Sequence, residues 1–210
     1  MGVPQPEPLY TAENYLALER RADERHQFVD GRIYAMAGET LEHSTISFNL
    51  AAILVTQLRG KNCRGLSPNM KILSGPLRKD QRSGLFSYPD ASVVCGEPRF
   101  HDEHRDVLLN PTVLFEVLSP SSEAFDRGEK FRRYRTHLDT LGDYVLISSD
   151  KPFVEHFQRQ AGGQWLYSSL EGLEGNLELV SIDCRLPLAE LYERVGFAAD
   201  ITAASDPSGR

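Results

Sequence analysis

At 210 residues, 40% of them hydrophobic, the chain is long enough to bury one core, and no shift in composition marks a second domain. The 30 acidic residues against 23 basic ones leave a net charge of -7, which argues against general attraction to polyanions, so a nucleic-acid site has to be local. Cys63, Cys95 and Cys184 are odd in number, widely spaced and free of any CxxC or Cys/His ligand pattern; this predicts reduced, packed thiols and a cytoplasmic protein.

The opening MGVPQPEPLY lacks the basic-then-apolar order of a signal peptide, and Pro6 breaks the myristoylation pattern begun by Met1-Gly2. No apolar run approaches the roughly 20 residues that span a bilayer, so no membrane association is expected. Residues 1–10 read as a flexible segment and 198–210, small and polar, as a disordered tail.

Thr11 is placed to cap a helix over 12–22, with Tyr15, Leu16 and Leu18 inward. Two strands, 27–29 and 32–36, follow around Asp30-Gly31, a dipeptide suited to a tight hairpin turn. Ile46, Leu50, Ile53, Leu54 and Leu58 recur at helical spacing and predict a long helix over 42–59, stopped by Gly60. Short strands at 63–66 and 69–73 precede a polar loop, 74–83, and a buried strand at 90–95. A charged connection, 97–111, leads to the most apolar strand, 112–118, and Ser119-Pro120-Ser121-Ser122 then starts a helix over 123–138. Strands at 144–148, 153–158 and 164–169, the last two joined through Ala161-Gly162-Gly163, are followed by a strand at 177–180 and a helix at 188–195. This order is mixed α/β.

Two carboxylates interrupt the apolar strands: Asp90 in Tyr88-Pro89-Asp90-Ala91-Ser92-Val93-Val94, and Glu116 in Val113-Leu114-Phe115-Glu116-Val117-Leu118. Removing an ionised carboxylate from water costs several kcal/mol, in rough terms, unless a cation or donors compensate. Strand alternation puts Glu116 on one face with Leu114 and Leu118, opposite Val113, Phe115 and Val117. Pro89 suits a strand start, so Asp90 belongs where the sheet splays. Were the two strands neighbours, both acids could reach one magnesium ion, which takes carboxylate oxygens together with water and phosphate. Asp126, Lys130 and Tyr134 fall four residues apart on the next helix, which lets Lys130 lean over the sheet to orient a nucleophile or balance phosphorane charge. Acting instead as a general base, Lys130 would need a lowered pKa. Arg127, Arg132, Arg133 and Arg135 around it offer phosphate contacts.

Competing readings stand beside these. Asp90 could cap turn amides, Glu116 could form a buried ion pair with Lys130, and the helix cations could simply face water. His101-Asp102-Glu103-His104 lacks a helical scaffold for metal binding and reads as a solvated loop. His43 borders the site or packs, and Lys71 is either a second cation near the acids or an edge-strand lysine that blocks aggregation.

These residues, with Arg25-His26-Gln27-Phe28-Val29-Asp30-Gly31-Arg32-Ile33, Met36-Ala37-Gly38 and Phe125-Asp126-Arg127-Gly128-Glu129-Lys130, resemble the Uma-type restriction-endonuclease-like proteins of the PD-(D/E)XK nuclease superfamily. The resemblance runs from Thr11 to Val195, within a single domain at 11–197. It implies a restriction-endonuclease-like α/β core, a central mixed β-sheet flanked by helices with an added C-terminal β-hairpin region. It further implies that Asp90 and Glu116 hold Mg2+ or Mn2+. The lysine usual two positions after the second acid is Leu118 here, so its role moves to Lys130. Gln27 stands where the family often carries glutamate.

The expected function is a metal-dependent endonuclease, a hydrolase that cleaves DNA phosphodiesters with Asp90, Glu116 and Lys130 as catalytic residues. Gln27, His43, Lys71 and Tyr134 are secondary candidates. By analogy with such nucleases, the chain is expected to be a homodimer. The alternative is a catalytically silent nuclease-fold protein that binds nucleic acid or a protein, favoured by Gln27, Leu118 and the acidic charge. A third reading, a purely structural ion-pair core, would make Glu116→Gln destabilising whether or not metal is present.

Overall fold

The structure, a computed structural model, describes residues 9–77 and 79–197. Most of the N-terminal segment expected to be flexible, the whole tail at 198–210, and Arg78 of the polar loop lie outside the described residues. The first half runs α1 (Ala12–Glu19), β1 (His26–Val29), β2 (Arg32–Ala35), α2 (Leu41–Gln57), β3 (Cys63–Leu66), β4 (Lys71–Ser74), β5 (Leu85–Ser87) and β6 (Ala91–Cys95). The second half runs β7 (Val107–Leu108), β8 (Val113–Leu118), α3 (Glu123–Phe125), a π-turn (Asp126–Lys130), α4 (Phe131–His137), β9 (Asp143–Ser148), β10 (Phe153–Arg159) and β11 (Trp165–Glu171). After these come β12 (Asn176–Leu179), a short 3-10 turn, β13 (Cys184–Pro187) and α5 (Leu188–Leu191).

The central mixed sheet has six strands in the order β11-β10-β9-β8-β6-β3, with β8 and β9 parallel and the other pairs antiparallel. A second sheet, β2-β1-β5-β4-β7, has five strands, and β12 pairs with β13 as a separate ribbon. Strand β8 explains the layering. Val113, Phe115 and Val117 pack with Ile46, Leu50 and Leu54 of α2 and with the C-terminal β12-β13-α5 unit. Leu114 and Leu118 face the opposite way, onto Phe131, Tyr134 and Leu138. The alternation expected from the sequence thus fixes Glu116 under the helical segment that carries Lys130.

Thr40 caps α2 by accepting from the His43 amide at 3.3 Å, and Asp30-Gly31 makes the β1-β2 turn with φ of 46° and 87°, the positive values a type I′ hairpin needs.

Several expectations change. The helix expected over 123–138 runs without a break from Glu123 to His137, but its segment Asp126–Lys130 is wound as a π-helix, whose wider ring contains Gly128, a weak helix former. Strands β5, β7 and β13 were not anticipated; β5 and β7, at three and two residues, are too short to show a period. Leu18 is 53% exposed rather than inward, because α1 turns this flank away from the core. Cys63 and Cys95 are not reduced thiols: they stand directly opposite on β3 and β6 and form a disulfide, a proximity that only strand pairing creates. Cys184 is free and buried, as expected.

Candidate functional site

Strands β6 and β8 are antiparallel neighbours with Ala91 opposite Phe115, so Asp90 lies across the seam from Glu116. The Asp90 amide donates to the Phe115 carbonyl at 3.0 Å, and the Val117 amide donates to Asp90 Oδ2 at 2.6 Å. Asp90 therefore does cap backbone, as the competing reading held, but with one oxygen only. Its Oδ1 is 3.1 Å from His43 Nε2.

Glu116 is buried at the middle of β8. Lys130 Nζ donates to Glu116 Oε2 at 2.9 Å and lies 2.7 Å from Asp126 Oδ1. The Tyr134 hydroxyl is 3.4 Å from Glu116 Oε1 and 2.7 Å from Ser87 Oγ. Two carboxylates thus share one ammonium, with Asp90 close by. Burial, and next the charges of Asp126 and Asp90, push the Glu116 carboxyl well above its ordinary value against the opposing pull of Lys130. Burial by itself would lower the Lys130 ammonium, but Glu116, Tyr134 and Asp126 outweigh it and hold the group well above its usual range. This direction favours the ammonium and is the opposite of the lowered value that a general base needs. His43 is raised as well: burial lowers it, and Asp90 and Glu39 more than compensate.

His43, Asp90, Glu116, Asp126 and Lys130 line one cleft of about 710 Å3, whose lining does not include Tyr134 or Ser87. Its charged lining comprises Glu39, Asp90, Glu116 and Asp126 against Arg25 and Lys130, beside His43, so carboxylates outnumber fixed cations four to two. Arg25 pairs with Glu39 at 3.5 Å. Gln27 also lines the cleft, and its buried Oε1 has no hydrogen-bond partner among the described residues. Ligand atoms of Glu39, His43 and Asp90 lie within 4.8 Å of one another. A divalent cation fits this donor set: hard carboxylate oxygens and an orphaned carbonyl.

The structure brings Gln27, His43, Asp90, Glu116, Lys130 and Tyr134 together and leaves Lys71 out. Lys71 pairs with Asp106 at 3.0 Å and lies 5.3 Å from the centre of the ring of Tyr88, which lines the cleft while Lys71 itself does not. It does not protect an edge either, since β4 is flanked by β5 and β7. The arginines near Lys130 are also engaged: Arg127 with Glu123 and Glu155, Arg132 with Glu129, Arg133 with Asp30 and Glu129, and Arg135 over the Phe131 ring. Asp102 pairs with Arg20 and His101 packs edge-on to Phe86, which accounts for the His101–His104 stretch without a metal. Glu39 and Asp126 escaped the sequence reading as site residues; the signals were an acid just ahead of the Thr40 cap and the Asp126–Lys130 spacing.

A family model described as "Uma2: Putative restriction endonuclease" matches residues 12–189. The uncharacterized protein slr1290 of Synechocystis is 34% identical over 192 residues, 91% of this chain and 96% of its own length. A second Synechocystis protein, sll1609, also uncharacterized, is 32% identical over 170 residues, covering 81% and 92%. Among solved structures, a chain described as a putative nuclease belonging to DUF820, from Anabaena variabilis, superposes with a TM-score of 0.67 over 87% of this chain and 97% of its own, at 17% identity, a likeness of fold. With the family model spanning all but the ends and two relatives aligned over most of their length, this chain belongs to the Uma2 family.

Proposed function

We propose that this protein is a metal-dependent nuclease that hydrolyses DNA phosphodiesters in the cleft between α2, β1-β2 and the β6-β8 seam. The observation that carries the reading is the surplus of buried carboxylates around Lys130, beside the unpartnered Gln27 carbonyl. Asp90, Glu116 and Gln27 would hold Mg2+ or Mn2+, with Glu39 and His43 next to Asp90. When bound, such an ion supplies Lewis-acid polarisation of the phosphate and a water made acidic enough to attack.

The chain's own residues then do the positioning. The Val117 amide fixes Asp90, and Tyr134 with Lys130 fixes Glu116. The Lys130 ammonium is placed to offset charge that develops on the scissile phosphate. Cutting both strands would call for a second copy of the chain, so a homodimer is part of this proposal. Among the described residues no helix is long and apolar enough to cross a membrane.

The test is incubation of the purified protein with DNA and Mg2+ or Mn2+ beside an Asp90→Ala variant. Cleavage by the wild type alone is expected; equal cutting by both proteins would assign it to a contaminant. The silent-scaffold reading is favoured by one observation, the internal pairing of Glu116 with Lys130. Calorimetric metal titration separates the two, since a silent scaffold shows no binding that depends on Asp90 and Glu116.

A further inference from the structure

A second cavity, of about 750 Å3, lies between α1 and the β1-β2 hairpin. Tyr34 lines both this groove and the acidic cleft, so the two spaces adjoin. The groove is the opposite of the cleft in charge. Its one acid, Glu19, is buried and engaged by the His26 amide and ring at 2.9 and 3.1 Å and by the Tyr88 hydroxyl at 2.7 Å. Its cations, Arg21 and Arg32, are exposed and form no ion pair among the described residues, in a chain whose other arginines are mostly tied to acids or rings.

The groove is also aromatic. Tyr34 is 49% exposed and Tyr10 39%, each a large ring with an uncovered face. Arg32 and Tyr34 are two residues apart on β2, an edge strand, and so share a face about 6.8 Å apart. Tyr34 stands opposite Gln27, which reaches the cleft. A cation that meets phosphate beside a ring that meets a base is the combination that grips single-stranded nucleic acid.

We propose that this groove is a strand-binding subsite: a single nucleic-acid strand leaves the cleft across Tyr34, stacks a base on Tyr34 and Tyr10, and rests its phosphates on Arg21 and Arg32. The proposal rests on the nuclease reading, because the strand is the one the cleft would cut. It resolves the conflict between an acidic chain and a polyanionic substrate, by confining attraction to one groove.

The test is fluorescence anisotropy of a short labelled oligothymidylate with the full chain in chelator, where no cleavage occurs. Tyr34→Ala should weaken binding by about fivefold to a hundredfold, while Tyr34→Phe, which keeps the ring, should bind as the wild type. Joint replacement of Arg21 and Arg32 by alanine should flatten the salt dependence by about 0.7 log units per lost phosphate contact, and Arg64→Ala, outside the groove, should not. Ribo- and deoxy-oligomers that both depend on Tyr34 would support the subsite. No strand binding, or equal binding by wild type and Tyr34→Ala with unchanged thermal midpoints, would overturn it.

Cleavage assays keep the two ideas apart. Asp90-dependent cutting with an unchanged KM in Tyr34→Ala removes the subsite and spares the nuclease. Tyr34-dependent strand binding without any metal-dependent cutting does the reverse.

Discussion

Replacing Lys130 by methionine removes the one cation that Glu116 and Asp126 share, at 2.9 and 2.7 Å, and leaves both carboxylates buried without a counter-charge. Removing one partner of a buried ion pair costs about 3–5 kcal/mol. For a domain of this size each kcal/mol moves the thermal midpoint by roughly 2–4 °C, so a fall of about 6–20 °C is expected. Glu116→Gln is different, because it leaves Lys130 and Asp126 as a balanced pair; its cost in the absence of metal should stay within about 1 kcal/mol. Divalent metal should then separate the variants further: a hundredfold excess over Kd stabilises the wild type by about 2.7 kcal/mol and Glu116→Gln by much less. The assay is thermal or urea unfolding of the three proteins, with and without Mg2+ or Mn2+. If Glu116→Gln loses as much stability as Lys130→Met, and metal changes nothing, the acid is a structural partner and the charge-surplus argument fails.

Gln27→Glu adds a carboxylate to a cleft that already holds four against two fixed cations, so it should lower the midpoint without metal and tighten metal binding in calorimetry. Asp30, Asp102, Asp106 and Glu129 are all held below the ordinary carboxylate range, Asp30, Asp106 and Glu129 chiefly by arginine hydrogen bonds and Asp102 by Arg20 and a backbone amide against burial. Their stabilisation is present above the unfolded pKa near 4 and lost as pH falls through the lower folded values, so the urea midpoint should drop as the pH falls below about 4. Breaking Cys63–Cys95 opens a 32-residue separation, for which chain entropy gives about 3–4 kcal/mol; Cys63→Ser should lower the midpoint, and reductant should lower the wild type to match.

Local periods were legible in the chain alone. Ile46, Leu50, Ile53 and Leu54 wrote helix α2, alternation along β8 put Glu116 opposite Phe115, and Asp30-Gly31 set a hairpin, because each depends only on residues a few positions apart. It also marked Asp90, Glu116 and Lys130, since charges inside or beside apolar runs need compensation that the sequence makes conspicuous. What it could not carry was partnership across the fold. Lys71 found Asp106, Cys63 met Cys95, and Arg133 reached Asp30, each through strand or helix packing between distant segments. Glu39 became part of the cleft in the same way, when the cap of α2 set it near Asp90. Local pattern follows from backbone geometry and the period of burial, whereas the cleft and its charge balance exist only once two sheets and the helix with its π-turn close over the β6-β8 seam.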